Sequence, residues 1–400
     1  MKQKILIVTW MGGGNTRPVL SMASDLVAMG HTVHILSNPD MRARSEKTGA
    51  VFHPFRRIPP HNPGSPETDI IRAFEGCSVG EINRLIADRF VLGLARPIAL
   101  DTADAIEAAR ADIVASDYTM PGAMIAAERA GCCLVLTADG EYPIPIPQEP
   151  QYASRYAYLF ARILAEGLSA SGPLCALRAN WGMQAIETPH DLIGRAARVL
   201  VMTYPVLSGG REPPGAVYVG PQFEPPATLP PPADRKTVFG TFSTIATPEQ
   251  DRFVTALARA SANDQRHMLL ACGASQPVSN AFVRAERFVD FPAVLPDVRL
   301  ALSHSGNGTV TFLLAYGIAQ IAVPFIQDQH ETAGRLVDLG LAQHLRKTAE
   351  PHQISDVLRA CLADHDMADR AFELAIDLKA AHIPAYAARE VLKLHAPVGT

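Results

Sequence analysis

One short stretch in the last third of the chain limits what it can fold into. The apolar residues 300–302 lead into the sequence HSGNGT at 304–309, and a helical pattern continues from 310 to 316. An apolar run, a glycine-containing turn and a helical periodicity in this order predict a strand, a tight turn and a helix. Such a unit is typical of α/β proteins with a parallel sheet.

The turn predicts a phosphate site. Gly306 and Gly308 allow the backbone to approach an anion closely. The amides at the start of the helix, at about Gly308 and Thr309, carry the positive end of the helix dipole, and Asn307 lies between the two glycines. His304 can add a directed hydrogen-bond donor. We therefore predict that a phosphate group binds at this turn.

A second strand ends nearby in the sequence. The apolar run 318–323 stops at Pro324 and is followed by Asp328 and Gln329. Parallel strands end at one edge of a sheet, which is the edge where ligands bind in open α/β folds. Carboxylate and amide groups hydrogen-bond to hydroxyls, so Asp328 and Gln329 are candidate sugar-binding residues.

Together, these segments resemble the donor-binding signature of family-one glycosyltransferases. That signature reads H-x-G-x-G-T, A-x-x-x-G-x-P and P-x-x-x-D-Q; the chain has HSGNGT and PFIQDQ at matching spacing, and AYGIAQ at the place of the second element. It departs at Ala319-Gln320, where the family usually has Val/Ile-Pro. The resemblance implies the GT-B fold, with two Rossmann-like, doubly wound α/β domains facing each other across a cleft. It also implies an inverting transfer from a UDP or dTDP sugar, with no metal ion and no bound cofactor.

Further donor contacts follow from the same resemblance. Thr241 and Ser243 lie in the sequence GTFST, which resembles the family's turn G-S/T-x-x-S that contacts the donor phosphates. Phe291 lies in a stretch resembling the one that flanks the nucleobase, where an aromatic ring stacks on the base. The family's Gln after the following proline is Ala293 here.

Length and proline content indicate two domains. Four hundred residues exceed what a single core usually organises, and a proline-rich segment separates two halves. With the resemblance, this predicts four parts. They are an acceptor-binding Rossmann-like domain at 1–205, a linker at 206–234, a nucleotide-sugar-binding Rossmann-like domain at 235–380, and a C-terminal helix at 381–400 that crosses back to the first domain.

Composition excludes several other classes of protein. The net charge of -4, with no basic stretch, argues against nucleic-acid binding. Six cysteines without regular spacing indicate free thiols in a reducing compartment. The N-terminal apolar run is too short for a signal peptide, and no later run reaches membrane-spanning length. We therefore expect a cytoplasmic protein without membrane contact, whose partners are a nucleotide sugar and a small acceptor; a homodimer is left open.

A glycine-rich loop, 11–17, follows the first predicted strand. It lacks the last glycine of the G-x-G-x-x-G fingerprint of dinucleotide sites, because Arg17-Pro18 stand there. In the resembling family this loop lines the acceptor pocket and reads G-H-x-x-P, and its histidine takes a proton from the acceptor hydroxyl. Asn15 stands in place of that histidine. An amide has no pKa in a useful range, so Asn15 cannot be the base.

Two carboxylates are candidates to replace the histidine as catalytic base. Asp117 follows a predicted strand, where the family commonly has an aspartate that orients its histidine. It acts either as the base, directly or through a water, or as a cap of the next helix. Asp139 follows the next strand and resembles a carboxylate implicated as the base in some carbon-glycosylating members. Its alternative role is that of a turn-forming aspartate.

The missing histidine restricts the acceptor. A general base supplies about 10² to 10⁴ in rate, and a phenol, with a pKa near 10, needs less help than an aliphatic alcohol. We expect an aromatic acceptor, glycosylated on oxygen or on an activated ring carbon. A non-catalytic, nucleotide-sugar-binding partner of an active transferase is the alternative that Asn15 favours and the intact HSGNGT motif disfavours. A nucleotide-sugar epimerase needs further acid and base groups, for which the sequence has no second motif.

One acidic motif is assigned no function. Asp364-His365-Asp366 matches the D-x-D pattern of metal-dependent glycosyltransferases, but it falls within a polar helical region, 354–380, and does not follow a strand. A solvated helix face is therefore expected there, and no metal site.

Overall fold

The computed structural model describes residues 2–10, 16–59, 77, 79–146, 154–208, 212–242, 248–273 and 275–394. The chain divides into two compact units, residues 1–223 with 383–400, and residues 224–382. The segment predicted as a linker is therefore shared between the two. Two of the predicted site residues, Asn15 and Ser243, lie outside the described residues.

The first unit alternates strands and helices. Its strands are β1 (Lys4–Val8), β2 (Thr32–Ser37), β3 (Val51–Pro54), β4 (Ile113–Asp117), β5 (Cys133–Ala138), β6 (Arg198–Val201) and β7 (Ala216–Tyr218). Its helices are α1 (Thr16–Ala28), α2 (Arg42–Glu46), α3 (Val79–Leu85), α4 (Ala95–Ala109), α5 (Pro121–Ala130), α6 (Arg155–Leu168), α7 (Pro173–Asn180), α8 (Pro189–Ile193) and the C-terminal helix, Tyr386–Leu392.

The second unit repeats the pattern. Its strands are β8 (Thr237–Thr241), β9 (Met268–Ala271), β10 (Val283–Glu286), β11 (Val298–Ser303), β12 (Ala319–Ala322) and β13 (Ala342–His344). Its helices are α9 (Pro248–Asn263), α10 (Phe291–Val294), α11 (Asn307–Ala315), α12 (Gln327–Asp338), α13 (Pro351–Ala363) and α14 (His365–Ala380); the C-terminal helix that follows is α15.

Both sheets are parallel and doubly wound, as predicted. Within the described residues, the strand order is β3-β2-β1-β4-β5-β6-β7 in the first sheet and β10-β9-β8-β11-β12-β13 in the second. The order reverses between β1 and β4 and between β8 and β11. These two reversals are the topological switch points at which open α/β sheets bind ligands.

The continuous apolar run of β1 follows from the two covered faces of its sheet. Leu6 and Val8 pack on one side, in a core that includes residues of α4 to α8. Ile5 and Ile7 pack on the other side, with α1 and α15. A parallel strand covered on both faces has no solvent side, so alternation between apolar and polar residues is lost.

The break in the helical region 81–109 lies earlier than its proline suggests. The pattern predicts a break near Arg96-Pro97, but a π-helical segment, Ile86–Val91, ends the first helix and α4 begins at Ala95. Pro97 therefore lies in the first turn of α4. A proline is tolerated there because the first amides of a helix have no acceptor within it.

A buried arginine connects the start of the second unit to its central helix. The guanidinium of Arg235 donates to the carbonyl oxygens of Tyr316 at 2.8 Å and Gly317 at 3.1 Å, and its Nε donates to Pro230 O at 2.9 Å. Tyr316 and Gly317 follow α11, so a cation lies at the negative end of that helix. Burial lowers the pKa of Arg235 to about 10, which leaves the group charged at neutral pH.

Arg235→Met is expected to destabilise α11. The substitution leaves buried carbonyl oxygens without donors, and each unsatisfied group costs about 1–3 kcal/mol, so we expect a total loss of about 2–4 kcal/mol. Hydrogen exchange of the α11 amides measures the opening free energy. The opening free energy of Arg235→Lys is expected to lie between those of the wild type and Arg235→Met. The control is Arg252→Met, because Arg252 is 75% exposed and has one ion pair at 4.0 Å. Equal exchange in R235M and R252M would disprove the role of Arg235.

Candidate functional site

The predicted phosphate turn lies at the switch point of the second sheet. β11 pairs with β8 on one side and β12 on the other, and Ser303 is the register partner of both Thr241 and Ala322. His304 directly follows Ser303. The ends of three adjacent strands therefore meet at the segment that joins β11 to α11, and Thr241 lies beside this segment.

Ser305 gives this turn its shape. Its φ is +61°, a left-handed conformation that residues other than glycine rarely adopt. Its amide donates to Ser303 Oγ at 3.2 Å, and Ser303 Oγ donates to Gln320 Oε1 at 3.4 Å. The Ser305 hydroxyl is buried and has no hydrogen-bond partner among the described residues. A buried hydroxyl without a partner is costly unless a ligand completes it, so it is a candidate phosphate donor.

Helix α11 begins earlier than the sequence indicates. Gly306 is the N-cap of α11, and its carbonyl oxygen accepts from the amides of Thr309 and Val310, both at 3.0 Å. The Thr309 amide is thus engaged within the first turn. The backbone amides of Asn307 and Gly308 come before it, in the positions where a helix supplies no internal acceptor. The predicted amide site is therefore centred about one residue earlier than expected.

His304 is buried beside Thr241 and Gly306. Its Nδ1 lies 3.5 Å from Thr241 O, a contact that requires the proton on Nδ1 because a carbonyl only accepts. Burial lowers the pKa of His304 to about 4, an effect that the Thr241 contact opposes. The ring is therefore neutral at pH 7, and with the proton on Nδ1 its Nε2 is an acceptor. Nε2 becomes a phosphate donor only when the ring gains a second proton or changes tautomer.

The two predicted sugar-binding residues have different environments. Gln329 is buried, and its Oε1 accepts from the amides of Phe325 at 2.9 Å and Ile326 at 3.2 Å, so it holds the loop that leaves β12. Asp328 is exposed. Neighbouring protein atoms that displace water raise the pKa of its carboxyl, and the amides of Asp328 and Gln329 oppose this. Both sugar contacts stay predictions, and Asp328 has the accessible carboxylate.

Phe291, the predicted nucleobase contact, belongs to an aromatic cluster. Its ring contacts Phe239 at a centroid distance of 5.8 Å and Phe312 at 5.5 Å, both edge-on. Phe291 itself is partly exposed, whereas the other two rings are buried. Edge-on contacts of this kind fix ring orientation and are favourable by about 0.5–1.5 kcal/mol each.

Both candidate bases lie at the strand ends of the first unit. Asp117 ends β4, is the register partner of Thr137 on β5, and is buried; its Oδ1 accepts from the amide of Thr119 at 2.8 Å and from its hydroxyl at 2.5 Å. It therefore holds the turn before α5, whose N-cap is Met120. Asp139 directly follows β5 and is partly exposed.

A buried phenol lies beside the two carboxylates. Burial raises the pKa of Tyr118 well above its usual value, and the charges of Tyr156, Asp139 and Asp117 add to the effect. The ring of Tyr118 also packs edge-on against Phe160. The candidate bases thus share the edge of the sheet with a buried phenol that stays neutral.

The D-x-D motif has a structural role at its first two residues. Asp364 Oδ1 accepts from the Met367 amide at 2.8 Å and so caps α14. His365 Nδ1 lies 3.2 Å from an Arg299 nitrogen. Among the described residues, no group of three or more potential metal ligands comes together.

Comparisons with known proteins agree with this geometry. Residues 252–381 match the model of the glycosyltransferase family 28 C-terminal domain. Over 380 residues, the chain is 27% identical to 4'-demethylrebeccamycin synthase from Lentzea aerocolonigenes, covering 87% of this chain and 88% of that protein. A zeaxanthin glucosyltransferase from Pseudescherichia vulneris is 33% identical over 106 residues, covering 26% of this chain and 24% of that protein.

Solved structures establish the fold. The calicheamicin glycosyltransferase CalG4 superposes with a TM-score of 0.78 over the full length of both chains, at 20% identity. VinC in complex with dTDP superposes with a TM-score of 0.68, at 18% identity, covering 99% of this chain and 100% of that chain. The chain is a glycosyltransferase with the GT-B fold. The resemblance to natural-product glycosyltransferases is thus confirmed.

Two residues that shape the turn of this glycosyltransferase were not predicted from the sequence. Ser305 lies within the HSGNGT motif, but serine gives no local signal for a left-handed conformation. Gln320 was noted only as a departure from the family's proline, yet it is fully buried and contacts Ser303. A buried glutamine in an otherwise apolar strand was the signal available.

No helix among the described residues is both long enough and apolar enough to span a membrane.

In the glycosyltransferase without ligand, His304 is expected to stay neutral down to about pH 5. Its folded-state pKa of about 4 lies below the unfolded value of about 6.5, so its contribution to stability is complete above pH 6.5 and is lost as the pH falls through 4. A bound diphosphate favours the imidazolium, so UDP is expected to raise the midpoint. Histidine NMR titration, with H304N for assignment and exposed His344 as internal reference, measures both values. A midpoint near 6.5 without nucleotide would contradict this arrangement.

Gly306→Ala is expected to weaken nucleotide binding without unfolding the enzyme. A Cβ at Gly306 would lie 2.4 Å from His304 Nε2, so the imidazole must move, whereas the backbone φ of -67° suits alanine. We expect UDP or dTDP affinity to fall about tenfold, equivalent to about 1.4 kcal/mol. The matched control is Gly334→Ala on α12, where a Cβ meets nothing within 4 Å and alanine favours the helix. Calorimetry that finds the same affinity in both variants would refute the prediction.

Proposed function

We propose that this glycosyltransferase moves a sugar from a UDP or dTDP donor to a small aromatic acceptor, with inversion and without a metal ion. The acceptor is a phenol or an activated ring carbon. The single observation that carries this proposal is the turn 304–306 in front of α11. It combines helix amides, the buried Ser305 hydroxyl and the His304 ring at a switch point of the sheet.

The turn provides what a departing diphosphate needs. In the transfer, the acceptor oxygen forms a bond to the anomeric carbon while the bond from that carbon to the diphosphate oxygen breaks. Negative charge grows on the leaving diphosphate, which the positive end of α11 and the Ser305 hydroxyl stabilise. A bound diphosphate raises the pKa of His304, and a proton taken up from water then makes the ring a charge-assisted donor. These groups take the place of a cation, and Asp328 is the group that orients the sugar.

Names of relatives support the donor and acceptor classes. VinC was solved with dTDP, and SsfS6 with thymidine diphosphate. Several structural neighbours are glycosyltransferases named for the natural products calicheamicin, kitacinnamycin and spinosyn. A relative in sequence that is matched over most of its length is a 4'-demethylrebeccamycin synthase. We extend these classes to this chain as a proposal.

The acceptor proton goes to a carboxylate in this scheme. Asp139 is partly exposed at the end of β5, whereas Asp117 is buried and accepts two hydrogen bonds. We propose Asp139 as the base and Asp117 as the residue that fixes the turn beside it. A carboxylate is a much weaker base than a phenolate or an alkoxide, so the transfer favours acceptors that lose a proton readily.

The rival function is a non-catalytic partner that binds nucleotide sugars and supports an active transferase. Asn15 is the residue that favours it, because the family's catalytic histidine is missing there. Both functions require nucleotide binding at the turn. They differ in whether diphosphate is released when an acceptor is present.

The loss of activity in Asp139→Asn is expected to depend on acceptor acidity. On phenol the variant is expected to lose about 10² to 10⁴ in kcat, whereas on a more acidic nitrophenol the loss shrinks, because the acceptor already ionises. Release of UDP or dTDP, with mass spectrometry of the products from pooled donors, measures both activities. Plain aliphatic alcohols are expected to react least.

Two controls make the result interpretable. Asp364→Asn alters a helix cap in the second unit and is expected to lower turnover equally and slightly for all acceptors. Asp117→Asn tests the turn, and its effect should not vary with acceptor acidity. Equal losses on all acceptors in D139N would exclude Asp139 as the base. Nucleotide-sugar binding without diphosphate release for any acceptor would favour the auxiliary protein.

A further inference from the structure

A groove on the first unit lies outside the donor turn. It has a volume of about 330 Å³, within the range of small-molecule sites, and is formed by α1, the end of α2 and the segment that follows β7. From α1 it receives Arg17, Ser21 and Ser24, which share one helix face at spacings of four and three residues. From the end of α2 it receives Arg44 and Lys47.

The charged side chains that line this groove are all positive. Arg17, Arg44 and Lys47 are exposed, and none of the residues that line the groove is acidic. Within the described part of the chain, Arg44 and Lys47 form no ion pair. The acidic residue between them, Glu46, pairs instead with Arg42 at 3.1 Å. Three cations around one depression repel each other, and a bound anion relieves that repulsion.

The remaining wall is fixed and partly apolar. Gln222 is buried, and its Nε2 donates to Val219 O at 3.1 Å and Gly220 O at 3.0 Å, so it shapes the wall. Leu20 and Phe223 add apolar surface. The groove therefore offers apolar side chains beside its basic ones.

We propose that this groove binds a small organic phosphate, independently of the donor turn. The phosphoryl group lies among Arg17, Arg44 and Lys47, with the hydroxyls of Ser21 and Ser24 as further donors. The organic part lies against Leu20 and Phe223. The inference does not depend on the proposed function, because all of its residues belong to the first unit and the donor turn lies in the second.

The test measures binding of phenyl phosphate and inorganic phosphate to the full chain by calorimetry. Phenyl phosphate is expected to bind several-fold more tightly, because its ring contacts Leu20 and Phe223. The double variant R44Q/K47Q is expected to weaken phenyl phosphate binding at least tenfold, and raising the salt from ~20 to ~200 mM is expected to weaken wild-type binding. Both substituted residues are exposed, so the variant should keep the wild-type melting temperature.

Two further variants locate the effect. R252Q/R359Q removes the same charge from exposed residues of the second unit and should bind phenyl phosphate like the wild type. H304A, which alters the donor turn, should also keep groove binding while losing affinity for UDP or dTDP. Equal binding by R44Q/K47Q and R252Q/R359Q would overturn the proposal. So would equal affinity for phenyl phosphate and inorganic phosphate, because the organic class of ligand rests on that difference.

Discussion

The second unit depends on how the helix α11 is held at its two ends. At its C-terminal end, the guanidinium of Arg235 satisfies carbonyl oxygens that follow the helix, and it also binds Pro230 in the segment that enters the unit. This buried cation lies at the negative end of the helix dipole, and the positive end lies at the turn 304–306. The N-terminal end lies at the switch point, where β8 and β11 end side by side. The fold thus fixes the direction of the field at the site where an anion is expected.

The turn in front of the helix is built to be uncharged until a ligand arrives. Burial keeps His304 neutral, and Gly306 is close enough to Nε2 that no larger residue fits without moving the ring. Ser305 adopts a strained conformation and keeps a buried hydroxyl without a partner. Each of these features costs free energy in the unliganded protein, and features of this kind persist where function requires them. A phosphate would complete the hydroxyl, and it would favour protonation of the ring.

The pattern of the sequence predicted the elements and their order, but not the contacts between distant segments. Apolar runs and glycine turns located β11, α11 and β12 to within about three residues, because these signals are local. The start of α11 was misplaced because Gly306 caps it, a position where glycine is less informative than serine or aspartate. The sugar contact of Gln329 stays a prediction, whereas the hydrogen bond from the Phe325 amide to its carbonyl oxygen is a contact that no local pattern encodes. The contact of Arg235 with Tyr316 spans 81 residues and could not be anticipated either.

Asn15 stands where the resembling family has its histidine, and this replacement affects proton removal from the acceptor but not the stabilisation of the leaving diphosphate. Stabilising the leaving diphosphate and positioning the reactants together lower the barrier more than proton removal does. In the proposed reaction the second unit supplies the groups for the first task, so the missing base limits which acceptor reacts before it limits whether transfer occurs. The edge of the first sheet is consistent with this. Buried Asp117 and Tyr118 crowd the position beside Asp139, and such an environment disfavours additional charge. An acceptor with a low pKa needs only a single weak base at this position. An alkyl alcohol has a much higher pKa, so a weak base does not activate it enough.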